Sequence, residues 1–138
     1  MLLATCGEAA TSATETACIL KKILVADDNP AILDSLKIML EDEGYEVETT
    51  EDGAVAQNMK KPLPDLLLLD VWMSGIDGKN VCLRLKSASA TKQIPIIMMS
   101  AAKDIVQIAE YAGADDYISK PFQMNHLLET VSLYINQR

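Results

Sequence analysis

Five residues with reactive side chains follow short apolar stretches of this 138-residue sequence. They are Asp27 and Asp28 after the first stretch, Asp70 after four consecutive leucines, and Ser100 and Lys120 after two later stretches. Aspartate can accept a phosphoryl group covalently, carboxylate oxygens suit Mg²⁺, and a lysine or a hydroxyl can contact phosphoryl oxygens. Two like charges about 4 Å apart cost about 4 kcal/mol at an effective dielectric constant of about 20, so three converging carboxylates need a cation beside them. The residue types therefore predict metal-dependent chemistry on a phosphoryl group.

The elements between these residues predict that they converge. Apolar runs predict five strands, which span 22–26, 45–50, 66–69, 94–99 and 116–119. Helical periodicity predicts helices over 30–43, 53–60, 78–87, 103–111 and 123–136, the last with Met124 on its apolar side. This alternation predicts an α/β fold with a five-stranded, doubly wound parallel sheet. The active site of such a sheet lies at the carboxyl ends of its strands, where all the reactive residues fall.

Composition and charge limit the class of protein. The chain is long enough for one domain, 49% of its residues are hydrophobic, and its formal net charge of −8 argues against non-specific nucleic-acid binding. No apolar run approaches the ~20 residues needed to cross a bilayer. The three cysteines, Cys6, Cys18 and Cys82, form no CxxC pair, which favours a reducing, cytoplasmic setting. Residues 1–20 are expected to be an N-terminal extension or an added segment, and residues 21–138 the domain.

Four motifs resemble those of the receiver domain of two-component response regulators. They are the DD pair after the first strand, the segment LLLLDVWM with IDG after it, Ser100-Ala101, and the segment YISKPF. The resemblance covers residues 21–138 and implies a flavodoxin-like receiver fold with strand order 2-1-3-4-5, as in the chemotaxis receiver. It also implies phosphorelay signalling, in which a sensor histidine kinase or a phosphotransfer protein supplies the phosphoryl group. Such a domain is not an enzyme with a substrate of its own, and it assists only its own phosphorylation and dephosphorylation.

The resemblance also implies a role for each acidic residue. Asp70 would be the phosphoacceptor and a ligand of Mg²⁺ (or Mn²⁺). Asp28 would bind the metal directly, the backbone carbonyl of Trp72 would supply a further ligand, and Asp27 would act through a bound water.

Phosphate binding and switching are implied for three further residues. Lys120 would contact the phosphate, and its peptide bond to Pro121 would be cis. Ser100 would move toward the phosphoryl group, and Tyr117 would change rotamer with it. The change would alter the face formed by the fourth helix, fifth strand and fifth helix, which would bind a downstream protein target or a second copy of the domain. Neither nucleic acid nor a membrane is an expected partner.

Two positions depart from the family pattern. Ser74 stands where the family often has proline, which relaxes the loop. Trp72, two residues beyond Asp70, is bulky at a position that influences dephosphorylation in relatives. We expect the indole to shield the phosphoryl group from water and to lengthen its lifetime.

The same residues also have structural interpretations. Taken alone, Asp27 and Asp28 could cap the helix that follows them and favour its dipole. Lys120 could serve only as the ion-pair partner that a buried Asp70 needs. Ser100 could be a hydrogen-bonded hydroxyl at a strand end.

Three other functions stay open. A flavin- or nucleotide-binding module would need a phosphate loop rich in Gly, Ser or Thr after the first strand, where ADDNP stands. A hydrolase with an aspartyl-phosphate intermediate commonly carries a second acid two residues beyond the nucleophile, where Trp72 stands. A phosphorylation-independent interaction module on the same fold is the main alternative. The chain could be a stand-alone receiver or part of a larger regulator or hybrid kinase.

Overall fold

The computed structural model describes residues 20–73 and 75–136, which contain seven strands. The strands are β1 (Lys22–Ala26), β2 (Glu46–Thr50), β3 (Leu66–Asp70), β4 (Trp72–Met73), β5 (Ile76–Asp77), β6 (Ile96–Ser100) and β7 (Asp116–Ser119). The expectation about residues 1–20 falls almost entirely outside the described ranges, and so does the one about Ser74.

Five of these strands form one parallel sheet in the order β2-β1-β3-β6-β7. Because β6 and β7 are the fourth and fifth strands of this sheet, the expected order 2-1-3-4-5 is confirmed. The order reverses between β1 and β3, and the loops that leave these two strands diverge at that point. In open α/β sheets such a reversal creates a crevice at the carboxyl ends of the strands. β1 ends just before Asp27 and β3 ends at Asp70, so two of the expected site residues border this crevice.

Five helices connect or follow the strands of the sheet within the described ranges. They are α1 (Pro30–Asp42), α2 (Gly53–Gln57), α3 (Gly78–Ser87), α4 (Ile105–Ala112) and α5 (Met124–Ile135). α2 is three residues shorter than predicted, and α4 begins two residues later than predicted. None of the helices in the described part combines the length and the apolar character that crossing a membrane requires.

The start of α1 shows how the sequence fixes the first turn beyond β1. The side-chain oxygen of Asn29 accepts hydrogen bonds from the backbone N–H groups of Ala31 and Ile32, and Pro30 occupies the first helical position. Gly44 follows the last turn with a φ of 96°, a left-handed conformation that glycine adopts without steric cost. These caps confirm the predicted limits of the helix and place its amino end directly after Asp27 and Asp28.

The core of the described part of the chain consists of two apolar clusters, one on each face of the sheet. Successive strand residues point to opposite faces, so Leu66 and Leu68 pack with α1 and α5, whereas Leu67 and Leu69 pack with the helices on the other face. β3 and β6 are buried along their whole length, as expected for strands covered on both sides. Cys82 is fully buried in the second cluster, where it acts as a small apolar residue.

Two local features differ from the expectations. Met124 is 57% exposed rather than part of the core, because it is the first residue of α5 and the helix buries its side chains only from Leu127 onward. The strands β4 and β5 form a short antiparallel hairpin after Asp70, which the sequence pattern did not predict. This hairpin matters for the site because it returns the chain to the end of β3.

Candidate functional site

Asp27 lies buried at the carboxyl end of β1. Its side chain has no exposed surface, and its backbone N–H donates to the carbonyl of Thr50 at the end of β2. One carboxylate oxygen, Oδ1, accepts the backbone N–H of Asn29 at 2.9 Å. Asp28, in contrast, is exposed. The two neighbouring acids therefore have different settings: Asp27 is built into the turn toward α1, and Asp28 lies at the open side of the crevice.

Asp70 is the last residue of β3 and is 7% exposed. Its neighbour Val71 is held on both sides, because the Val71 N–H donates to the carbonyl of Met99 at 3.0 Å and its carbonyl accepts the N–H of Gly78 at 2.6 Å. The backbone that carries Asp70 is thus connected to β6 on one side and to the start of α3 on the other.

Lys120 joins the two buried carboxylates. Its Nζ lies 2.7 Å from Oδ2 of Asp27 and 3.2 Å from Oδ1 of Asp70. Its backbone N–H donates to the carbonyl of Ser100 at 2.9 Å, and its peptide bond to Pro121 is cis, as expected. The sequence suggested Asp70 as the partner of this lysine, whereas the contact with Asp27 is the shorter of the two.

Three carboxylates meet at this point of the sheet. Asp27, Asp28 and Asp70 each offer an oxygen, and these oxygens lie within 4.8 Å of one another. Among the described residues, these three carboxylates form the cluster of ligating side chains that could hold a metal ion. A set made only of carboxylate oxygens suits a hard divalent cation such as Mg²⁺. The chemistry of the donor set therefore fits a magnesium ion.

The electrostatics of the cluster reflect its crowding. Burial and then the neighbouring charge of Asp27 raise the pKa of Asp70 from 3.8 to about 6, although Lys120 opposes the change. Burial alone would lower the pKa of Lys120, but its hydrogen bonds and ion pairs with Asp27 and Asp70 together raise that pKa above its ordinary value. Lys120 thus stays protonated, and its single charge does not offset the combined effect of burial and of the charge of Asp27 on the pKa of Asp70.

The remaining expected residues lie at the same end of the sheet or beside it. Ser100 ends β6, is buried, and accepts the N–H of Ala102 on Oγ at 2.9 Å. Tyr117 lies in β7 and is 37% exposed. Trp72 begins the hairpin after Asp70, and its side chain is 64% exposed. The structure thus brings the three acids and Lys120 into one cluster, places Ser100 at the neighbouring strand end, and leaves Tyr117 and Trp72 accessible.

Two features of the site were not predicted from the sequence. The pairing of Lys120 with Asp27 follows from the complete burial of Asp27, which the sequence does not reveal. Gly78 packs against the backbone of Asp70, and a Cβ at this position would overlap the Asp70 carbonyl oxygen. The IDG motif contains this glycine, but the motif alone does not say what the glycine contacts.

Comparisons with known proteins agree with this geometry. The family model for the response regulator receiver domain matches residues 23–132. The dual master transcriptional regulator RpaA of Synechocystis, a DNA-binding protein, is 40% identical over 114 residues, which cover 80% of this chain and 47% of RpaA. A solved structure from Chloroflexus aurantiacus, assigned as a response regulator, is 36% identical with a TM-score of 0.79 and covers 86% of this chain and 99% of its own.

A further solved structure bears on the acidic cluster. The receiver domain of the sensor histidine kinase PA1611 from Pseudomonas aeruginosa carries a magnesium ion in its active-site cleft. It is 25% identical with a TM-score of 0.76, over 86% of this chain and 99% of the neighbour. The chain spans about half the length of the curated relatives it matches, with 47%, 49% and 54% of the first three. The fold, the acidic cluster and the match over residues 23–132 lead to one conclusion: this chain belongs to the response regulator receiver domain family.

Proposed function

We propose that this domain accepts a phosphoryl group on Asp70 from a sensor histidine kinase or a histidine phosphotransfer protein and changes a protein-binding face in response. One observation carries the proposal: Asp70 ends a buried strand within a cluster of three carboxylates, and Lys120 Nζ lies 3.2 Å from it. Membership of the receiver family, whose members act in phosphorelays, supports the proposal.

Asp28, Asp70 and the backbone carbonyl of Trp72 would hold the magnesium ion, and Asp27 would contact it through a water. The bound ion supplies positive charge that offsets the negative charge of the carboxylates and of the phosphoryl oxygens. Asp27 suits an indirect role because both of its oxygens already accept hydrogen bonds, from Asn29 and Lys120.

Transfer of the phosphoryl group forms a new O–P bond at Asp70. A carboxylate oxygen of Asp70 attacks the phosphorus of a phosphohistidine, the P–N bond breaks, and its electron pair returns to the imidazole nitrogen, which takes up a proton from solvent. The product is an acyl phosphate. Lys120 keeps its proton and contacts a phosphoryl oxygen, which requires it to give up part of its contact with Asp70. The hydroxyl of Ser100 donates to another phosphoryl oxygen.

The domain also assists the loss of the phosphoryl group. Water attacks the phosphorus, the O–P bond breaks, and inorganic phosphate leaves the Asp70 carboxylate. The exposed indole of Trp72 lies two residues from Asp70 and is expected to hinder this attack.

The responding surface is the face formed by α4, β7 and α5. Tyr117 changes rotamer when Ser100 moves, and the two helices carry further exposed apolar side chains, Val106 on α4 and Met124 on α5. A downstream protein or a second copy of the domain would bind there. Phosphorylation need only shift a two-state equilibrium by a few kcal/mol. The net charge of −8 argues against direct DNA binding by this domain.

A small phosphodonor tests the proposal without knowledge of the kinase. Acetyl phosphate and magnesium are expected to add the mass of one phosphoryl group to the intact wild-type protein. The addition should be absent in Asp70→Asn and in the presence of a chelator. Asp34→Asn, which removes an exposed acid from α1, is the matched control and should be labelled as wild type is.

The main alternative is a receiver-like interaction module that works without phosphorylation. It predicts no labelling of the wild-type protein and identical partner binding by wild type and Asp70→Asn. Labelling of Asp70→Asn to the same extent as wild type would contradict Asp70 as the acceptor and leave the family assignment untouched.

A further inference from the structure

Gly78, the first residue of α3, lies against the peptide that carries Asp70. Its N–H donates to the carbonyl of Val71 at 2.6 Å. A Cβ at position 78 would overlap the carbonyl oxygen of Asp70 and would lie 2.9 Å from the carbonyl oxygen and 3.0 Å from the Cα of Val71. All three are backbone atoms, so no side-chain rotation can relieve the overlap. Glycine is the residue that fits without displacing the chain.

The segment between Asp70 and Gly78 closes on itself. Trp72 and Asp77 are paired residues of the β4–β5 hairpin. Asp77 Oδ1 also accepts the backbone N–H of Lys79 at 2.9 Å, which caps the start of α3. The hairpin and the cap therefore bring the start of α3 back to the end of β3, and Gly78 is the point where the two meet.

We propose that Gly78 is a positioning residue for the phosphoacceptor. Its missing side chain lets the start of α3 pack against the Asp70 peptide, which fixes the backbone that bears the Asp70 carboxylate and the Trp72 carbonyl. This inference rests on the proposed phosphoryl acceptance at Asp70.

The expected size of the effect follows from the overlap. Ordinary contacts between a carbon atom and a carbonyl oxygen lie at about 3.3 Å or more, so a methyl group at position 78 must move the Asp70 peptide or α3 by about 1 Å. Misplacement of reacting groups by about 1 Å can lower a rate about a hundredfold. Gly78→Ala should therefore be phosphorylated about tenfold to a hundredfold more slowly than wild type.

Gly75 offers a matched control in the same hairpin. It has a φ of 73°, so Gly75→Ala strains the backbone, but among the residues that the structure describes a Cβ there would have no neighbour within 4 Å. Both variants are treated with acetyl phosphate at saturating magnesium, well below their melting temperatures. Gly75→Ala is expected to react within about threefold of wild type. A purely structural role of Gly78 would leave the rate per folded molecule unchanged in both variants.

Two readouts do not depend on phosphorylation. Magnesium affinity, measured by the fluorescence of Trp72, the single tryptophan, should weaken at least about fivefold in Gly78→Ala. In the metal-free protein, the amide resonances of Asp70, Val71 and Trp72 should shift in Gly78→Ala. They should stay close to the wild-type positions in Gly75→Ala except near the substitution.

The outcomes separate the two proposals. Failure of the wild-type protein to accept a phosphoryl group contradicts the proposed function. Labelling of folded Gly78→Ala at the wild-type rate with unchanged magnesium affinity, or an equal fall in Gly75→Ala, overturns the positioning role alone. If Gly78→Ala does not fold, Asp77→Ala carries the test, because it removes the cap of α3 without adding an atom. Its rate should fall about threefold to tenfold, and an unchanged rate overturns the inference.

Discussion

Replacement of Asp70 by asparagine should stabilise the metal-free domain. Burial and then the charge of Asp27 raise the pKa of Asp70 from 3.8 to about 6, despite Lys120. At 1.36 kcal/mol per pKa unit, a shift of about 2 units corresponds to about 3 kcal/mol once the carboxylate is ionised in both states. Solvent reaches the cluster on the side of Asp28 and reduces the penalty that burial and the neighbouring charge impose on the Asp70 carboxylate. We therefore expect a gain of about 1 to 3 kcal/mol in the free energy of unfolding.

The sign of the pH dependence follows from the direction of the shift. The folded state holds the Asp70 proton more tightly than the unfolded state does, so stability falls as the pH rises from about 4 to about 6. Below this window Asp70 is protonated in both states and carries no penalty. Asparagine is uncharged throughout, so the gain from Asp70→Asn should be complete above pH 6 and vanish below about pH 4.

Thermal unfolding followed by circular dichroism in the presence of a chelator measures this gain. Asp70→Asn is expected to melt about 3 to 10 °C above wild type at pH 7.5. Below about pH 4 the two proteins should have the same melting temperature. Asp34→Asn removes the same charge from an exposed position of α1 and should change the melting temperature by less than about 2 °C. Saturating magnesium should reduce the difference between Asp70→Asn and wild type. A melting temperature of Asp70→Asn at or below wild type at pH 7.5 would refute the reasoning.

Three further outcomes are expected. Lys120→Met leaves the fully buried Asp27 without its cation, so the free energy of unfolding of the metal-free protein in urea should fall by about 3 kcal/mol. A loss below about 1 kcal/mol would contradict a stabilising Lys120–Asp27 pair. Burial raises the pKa of the Cys82 thiol to about 12. Alkylation of Cys82 at pH 8, followed on the peptide that contains this residue, should therefore be about a thousandfold slower in the folded than in the unfolded protein. Comparable rates would show that the thiol is accessible. Trp72→Asn should lose its phosphoryl group faster than wild type when release of inorganic phosphate is timed, and an unchanged lifetime would exclude shielding by the indole.

The two central strands β3 and β6 were the most readily predicted part of the sheet, because almost all of their residues are apolar. β3 and β6 are buried on both faces, and their continuous runs of apolar residues distinguish them from strands with one exposed face, in which apolar and polar residues alternate. The order of the strands came from the motif resemblance rather than from periodicity, which carries no information on strand neighbours. The β4–β5 hairpin escaped prediction because strands of two residues are too short to show alternation.

The site was predictable in its members but not in its contacts. Placing Asp27, Asp70 and Lys120 at strand ends needs only the topology, and the structure brings them together. Which acid lies closest to Lys120 depends on how deeply Asp27 is buried. The role of Gly78 depends on how closely two backbone segments eight residues apart approach each other. Neither the burial depth of Asp27 nor this backbone distance can be predicted from residue types. Met124 was misplaced because helical periodicity does not reveal where along a helix the packing begins.

Chemical trapping of the modified residue tests the central claim most directly. Borohydride reduces an aspartyl phosphate to homoserine, which marks the acceptor in a peptide map. After treatment with acetyl phosphate and magnesium, we expect homoserine at position 70 and at no other aspartate, and none when magnesium is removed. Homoserine at Asp27 or Asp28 instead, or at Asp70 to the same extent without magnesium, would contradict the account.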